Sequence, residues 1–147
     1  MEHIKAALPQ PQITSVNQTY WDSLKAGDLM FQQCACGHRW LPARTECPSC
    51  LARDWQWKKA TGDARLVTWV VYHHAYHPSV ADRLPYTVAV VELAEGPRLV
   101  TNIVEQDHPE PLRVDMPLAL RIEVEGDTSL PRFAVRPPGE AETMAPH

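Results

Sequence analysis

All four cysteines of the chain lie in one short segment, CACGHRWLPARTECPSC, at positions 34–50. They form two close pairs, Cys34/Cys36 and Cys47/Cys50, with ten residues between the pairs. Two short turns joined by a hairpin can bring four thiolates to one point, and Zn²⁺ prefers soft sulfur ligands at the corners of a tetrahedron. The spacing therefore predicts a structural zinc site made by these four cysteines.

The first cysteine pair is shorter than a zinc ribbon normally requires. The second pair encloses two residues, whereas only Ala35 separates the first pair. Gly37 can adopt the positive φ that a tight turn often needs, and His38 is close enough in sequence to be considered as a ligand. A vestigial or empty site is the alternative to a four-thiolate zinc site.

Disulfide bonds between these cysteines are less favoured than a metal site. The N-terminal segment MEHIKAALPQ does not resemble a signal peptide, and no apolar run approaches the ~20 residues that a membrane-spanning helix needs. We therefore expect a soluble cytoplasmic protein in a reducing compartment, where cysteines stay reduced or bind metal.

The chain divides into four segments with different patterns. Residues 1–28 predict an extended arm followed by a short helix that Asn17 caps and Gly27 ends, with Tyr20, Trp21 and Leu24 on one face. That face must be covered by the rest of the chain or by another protein. Residues 29–60 predict a zinc ribbon, residues 61–136 a barrel, and residues 137–147 a disordered tail.

The ribbon and the barrel are predicted from short β-branched and aromatic runs separated by turn residues. In the segment 118–125, Leu118, Leu120, Ile122 and Val124 are expected on one face. Five strands after residue 61 suit a small closed barrel of the OB type, because closure removes exposed strand edges. At most one turn of helix is expected between residues 105 and 117, which include three prolines. Strands are predicted at 29–33, 55–59, 65–74, 86–93, 98–104, 118–125 and 131–136.

Charge is unevenly distributed along the chain. The formal net charge is −4 and the isoelectric point is about 5.9, but basic residues outnumber acidic ones between positions 31 and 65. A phosphate-bearing ligand would favour that region, whereas a long nucleic acid would be repelled by the acidic C-terminal half.

Two other functions can be read from side-chain chemistry. Zinc ribbons and OB barrels both bind single-stranded nucleic acid, and Trp40, Trp55, Trp57 and Trp69 keep that alternative open. The acidic isoelectric point argues against it, since a dedicated nucleic-acid binder is usually basic.

The histidines between residues 73 and 77 suggest a possible enzyme. His73, His74 and His77 could bind a metal or act as acid and base with a carboxylate such as Asp82. Adjacent residues on a strand point to opposite faces, so His73 and His74 cannot easily meet at one ion. Loop or interface residues are the favoured interpretation.

A longer series of motifs runs along the chain in a fixed order. It consists of an aromatic pair on a helix, then LMFQQC ending at Cys34, CG at 36–37, Pro42, Arg44, CPSC at 47–50, YH at 72–73, HP at 77–78, PYTVAVVEL at 85–93, Gly96 and LPRF at 130–133. In this order the motifs resemble the DUF35 family over roughly residues 17–136. That family combines a rubredoxin-like zinc ribbon with an OB fold. The short first cysteine pair departs from the family's pattern.

The resemblance implies a non-catalytic subunit that assembles with a thiolase-like enzyme. Members of the family associate with subunits that make or break carbon-carbon bonds beside a CoA thioester, and the partner supplies the catalytic residues. All four cysteines here are at metal-ligand spacing, so the chain alone is not expected to be the catalyst. We expect the ribbon and the loop at 74–85 to face the partner near its CoA entrance, with Arg39, Arg44 and Lys58 as candidates to bind the CoA phosphates.

Overall fold

A computed structural model of the chain describes residues 10–75, 78, 84–105 and 111–136. The fold is mainly β, as predicted, with one helix among these residues, α1 (Gln18–Lys25). That helix is eight residues long, and none in the described part of the chain could cross a membrane. The strands are β1 (Met30–Cys34), β2 (Arg39–Trp40), β3 (Trp55–Lys59), β4 (Asp63–Tyr72), β5 (Tyr86–Leu93), β6 (Arg98–Ile103), β7 (Pro117–Glu125) and β8 (Thr128–Val135).

The first three strands form the ribbon, an antiparallel sheet in the order β2-β1-β3. Gln33 of β1 lies opposite Arg39 on one side and Gln56 on the other. β1 leads into the first cysteine pair, and β3 begins soon after the second. The sheet therefore holds both ends of the cysteine segment together.

The last five strands close into a barrel in the order β4-β5-β6-β8-β7. Neighbours are antiparallel except β6 and β8, which run parallel and pair at Ile103 and Phe133. β7 returns to β4 and closes the barrel, with Ala64 opposite Leu118. The predicted five-stranded OB barrel is confirmed, and closure leaves few edges exposed.

One hydrophobic core joins the helix, the ribbon and the barrel. Leu24 of α1 and Phe31 of β1 are buried in the same cluster as Phe133, Leu66 and Leu118 of the barrel. Tyr20 and Trp21 are half-buried against this cluster, so the aromatic face of the helix packs within the chain. The ribbon is therefore fixed to the barrel by shared packing.

The helix begins and ends close to the predicted residues, but its cap differs in detail. Asn17 occupies the cap position, but its side chain makes no capping hydrogen bond to the helix; its side-chain oxygen accepts a hydrogen bond from the Thr14 N–H at 2.7 Å. Thr14 in turn accepts from the Asn17 N–H at 3.3 Å. Gly27 follows the last turn with a φ of +98°.

The alternation predicted for β7 holds only near its start. Leu118 is fully buried, whereas Val124 is 70% exposed because it lies beside the turn that joins β7 to β8, beyond the barrel core. The predicted strand ends shift by up to three residues, while Trp55–Lys59 and Tyr86–Leu93 match.

Several predictions lie wholly or partly outside the described residues. The tail at 137–147 and residues 1–9 of the arm fall there. So do His77, Asp82 and the middle of the 105–117 connection. No helix is present in the described ends of that connection. The predicted boundaries at residues 28, 60 and 136 stay predictions.

Candidate metal centre

The four cysteine sulfurs converge beside the ribbon sheet. The Sγ atoms of Cys34 and Cys50 are 3.5 Å apart, those of Cys36 and Cys47 are 3.8 Å apart, and all four lie within 4.8 Å of one another. A tetrahedron with Zn–S bonds of about 2.3 Å has sulfur-sulfur edges of about 3.8 Å. A disulfide needs about 2.05 Å, and all four cysteines are free thiols. The cluster could hold one metal ion.

The short first pair closes through a tight turn. The Gly37 N–H donates to the Cys34 carbonyl at 2.8 Å, and the Cys34 N–H donates to the His38 carbonyl at 2.9 Å. Gly37 has a φ of +96°, in the region that glycine adopts without a steric cost. One residue between the cysteines is therefore enough to aim both sulfurs inward.

His38 is not part of the ligand cluster. Its ring stacks on Trp40, with centroids 5.7 Å apart and planes at 16°. Within the described residues, the grouped metal-ligating side chains are the four cysteines alone. The His38 ring, the fifth candidate ligand, therefore contacts Trp40 and not the cysteine cluster.

The second pair surrounds one sulfur with backbone donors. The Cys47 Sγ accepts hydrogen bonds from the N–H groups of Ser49 and Cys50, at 3.4 and 3.5 Å. The Leu51 N–H donates to the Cys47 carbonyl at 2.9 Å. Such donors stabilise a thiolate, which is the form that binds metal.

The surroundings of the sulfurs give the thiols different acidities. Burial would raise the pKa of the Cys47 thiol, but the N–H groups of Cys50 and Ser49, together with the Cys50 and Cys36 side chains, outweigh it and lower the pKa to about 7. A backbone bond from Cys36 lowers the pKa of Cys34, but burial and hydrogen bonds to the other three thiols raise it to about 12. These surroundings therefore favour the thiolate at Cys47 and the protonated thiol at Cys34.

The loop between the cysteine pairs is held by a buried glutamine that sequence reasoning did not identify. Gln32 is fully buried, donates to the Arg44 carbonyl at 2.9 Å and accepts from the Arg44 N–H at 2.7 Å. The Trp55 indole N–H donates to the Thr45 carbonyl at 2.7 Å. The sequence signal that could have identified Gln32 was a polar residue in a strand, next to Phe31.

The three residues predicted to bind CoA phosphates are exposed but not all together. Arg39 and Lys58 share one face of the ribbon sheet on its two outer strands. Arg39 also donates to the Gln33 side chain at 3.2 Å and to the Glu95 carbonyl at 3.0 Å. Arg44 lies in the loop that the Gln32 side chain holds, and the Gln32 side chain points to the opposite face of the sheet from Arg39 and Lys58. Their role stays a prediction.

The histidine loop is only partly described. His73 and His74 follow β4 and are exposed. They belong to no group of metal-ligating residues in the described ranges.

Comparison with known proteins identifies the family. Residues 57–123 match the family model described as ChsH2, C-terminal OB-fold domain. A DUF35 domain-containing scaffold protein of Methanocaldococcus jannaschii is 31% identical over 96 residues, covering 63% of this chain and 67% of that protein. The chain belongs to the DUF35 family.

Two further matches show the range of proteins that this DUF35 chain is similar to. A solved structure described as an Ltp2-ChsH2(DUF35) aldolase has a TM-score of 0.76 and 34% identity, covering 86% of this chain and 98% of that one. A probable enoyl-CoA hydratase alpha subunit of Thermomonospora curvata is 37% identical over 138 residues, or 92% of this chain. The chain spans only 42% of that relative.

Proposed function

We propose that this DUF35 chain is a non-catalytic subunit of a hetero-oligomeric enzyme complex that acts on acyl-CoA, with a thiolase-like partner as the catalyst. The observation that carries the proposal is the similarity at 34% identity to nearly the whole of a DUF35 chain in a structure whose description names two components of an aldolase. Relatives described as scaffold proteins support the same role.

The arrangement of the cysteines supports a non-catalytic role. Thiolase chemistry needs a free thiolate with a histidine base beside it. Here each sulfur lies within 4.8 Å of three others, and the nearby His38 ring stacks on Trp40. Bound metal would occupy all four sulfurs and leave no nucleophile.

We propose Zn²⁺ as the ion, held by Cys34, Cys36, Cys47 and Cys50 in a structural role. Four sulfurs at near-tetrahedral separations suit zinc, and the Cys47 sulfur already accepts the two N–H bonds that would orient a bound thiolate. The ion would supply folding free energy to the ribbon and no step of the reaction.

Assembly with a catalytic partner gives the direct test. The chain is co-expressed with a candidate thiolase-like protein, and each protein is used to capture the other. We expect stable co-purification and carbon-carbon bond chemistry on acyl-CoA only in the mixture. Turnover of a CoA thioester by the isolated, zinc-free chain would contradict the proposal. Salt-sensitive retention on single-stranded DNA without a protein partner would favour the nucleic-acid function.

We further propose that Arg39, Arg44 and Lys58 contact the CoA phosphates in the assembled complex. The test is calorimetric titration of CoA into complexes carrying each residue as glutamine. A phosphate contact predicts about tenfold weaker binding for each change. Arg53→Gln is the matched control, because Arg53 is an exposed ribbon arginine paired with Glu46 at 3.0 Å. Equal affinity in all four variants would reject the assignment.

A further inference from the structure

A groove of roughly 570 Å³ lies on the outer wall of the barrel and is not part of the metal centre. α1 forms one wall, the loop after β2 forms another, and β5, β6 and β8 form the floor. Its lining is mostly apolar and aromatic: Tyr20, Trp21, Leu41, Pro42, Val90 and Val100. Val100 is 70% exposed, which leaves an apolar side chain uncovered in the floor.

The floor contains a strand edge with unused backbone groups. The Leu93 N–H donates to the Pro97 carbonyl, and hydrogen-bonded pairs between antiparallel strands recur at every second residue. In the β5–β6 register, the backbone N–H and C=O groups of Leu99 therefore point toward β5, and those of Arg98 and Val100 point toward β8. β8 pairs with β6 only at Ile103. Among the described residues, no strand pairing therefore joins Arg98 or Val100 to β8.

A proline in β8 explains why β8 does not pair with this part of β6. Pro131 lines the groove and has no N–H to donate. Its carbonyl accepts from the Thr101 hydroxyl at 2.7 Å, so a side chain joins the two strands where a ladder would otherwise continue. An extended peptide could add to the free part of the edge, as in other strand-addition complexes.

The charge around the groove favours an acidic group in the ligand. Among the described residues that line it none is acidic, while Arg98 and Arg132 are basic, and the Arg98 side chain is 56% exposed. Arg98 donates through Nε to Glu92 at 2.8 Å, and Glu92 also accepts from Arg65 at 3.0 Å. Arg65 bonds Asp115 as well. Arg98 is thus the last cation of an alternating row, and its two terminal nitrogens have no partner in the described part of the chain, so a carboxylate could bind them.

We propose that this groove docks an extended peptide segment of another protein, which pairs with Val100 of β6, places an apolar side chain against Trp21 and Pro42, and presents an acidic side chain to Arg98. Backbone groups without a strand partner repeat along the floor of the groove, which fits a peptide better than a compact small molecule. Docking of this peptide does not depend on the proposed function, because it requires no particular activity of the protein that contains the peptide.

A random-heptapeptide phage library tests the chemistry directly. The library is selected on the full chain, and enriched peptides are synthesised and titrated by fluorescence anisotropy. We expect enrichment of peptides with an acidic and a large apolar residue. Arg98→Ala and Val100→Asp should each weaken their binding about tenfold or more.

Two variants control for charge and folding. Val124→Asp changes a valine of equal exposure beside the β7–β8 turn, and Arg121→Ala removes an exposed arginine that is paired with Glu105 at 2.9 Å. Both should bind the peptides like the parent chain. The proposal is overturned if no peptide is enriched, if enriched peptides lack acidic residues, or if all four variants bind equally.

A second copy of this chain is the remaining occupant to separate. Sedimentation of the parent chain and of Val100→Asp decides it. A monomer in both cases supports the peptide proposal. A parent dimer that Val100→Asp dissociates would replace the proposal with self-association through the groove.

Discussion

Serine substitutions at the second cysteine pair should have unequal effects, because the two sulfurs differ in burial. Cys47 is fully buried and accepts two N–H bonds, whereas Cys50 is exposed. Serine is a poor zinc ligand at neutral pH, so either change leaves three sulfurs. Water can take the vacant position at Cys50 but has little access at Cys47. Cys47→Ser should therefore lose zinc more completely than Cys50→Ser.

The magnitude follows from what else holds the ribbon. Its own small core contains Trp40 and half-buried Trp55 beside the cysteines, which is too little to order the cysteine segment alone. Structural zinc supplies about 10–16 kcal/mol in comparable modules. Loss of an outer hydrogen-bond partner weakens a metal site about 10- to 100-fold. We expect a larger loss for a direct ligand, about 100-fold for Cys50→Ser and about 1,000-fold or more for Cys47→Ser, or about 4 kcal/mol.

Three measurements check this prediction. Elemental analysis should give about one zinc per parent chain and almost none in Cys47→Ser. Chelator competition ranks the affinities of the two variants. Hydrogen exchange should show fast amides from Cys36 to Asp54 in Cys47→Ser and protected amides in β5 and β7. Full zinc content in Cys47→Ser, or a metal-free ribbon with protected amides, would refute the reasoning.

Three further substitutions probe packing, each checked by denaturant unfolding. Gly62→Ala should cost about 1–3 kcal/mol, because Gly62 has a φ of +94° and a new Cβ would lie 3.3 Å from Leu120; Gly126→Ala, with open space, should cost less. Phe133→Ala should cost about 3–5 kcal/mol by opening a cavity in the barrel core. Gln32→Leu should cost about 1–2 kcal/mol, because the Arg44 backbone loses both partners, and it should also weaken zinc binding. Costs under 0.5 kcal/mol would contradict these assignments.

The parts that sequence predicted well depend on local patterns. β5 alternates half-buried and buried residues along its whole length, as a strand with one face on a core must. Its ends fall where Pro85 and Ala94 interrupt that alternation. The cysteine cluster was predictable because ligand chemistry restricts spacing more tightly than packing does.

The parts that sequence missed depend on contacts between distant residues. Val124 continues the alternation of β7 yet is exposed, because the barrel core ends before it. The Asn17 side chain accepts a hydrogen bond from the Thr14 N–H and not from an N–H group of the helix. Sequence propensity does not say which of these nearby donors it will bind. The parallel pairing of β6 with β8 joins residues 30 apart, and no local signal near Ile103 indicates where that pairing stops.

The groove and the metal centre are linked by the chain that runs between the cysteine pairs. Leu41, Pro42 and Ala43 form a wall of the groove and lie between Cys36 and Cys47. That loop contributes no strand of its own after Trp40, and it is held by the Gln32 amide and by both cysteine turns. A bound zinc would therefore stabilise the shape of the groove wall at a distance. Under these proposals the metal would perform no chemistry and would instead fix the proposed docking surface on a barrel that folds around its own core.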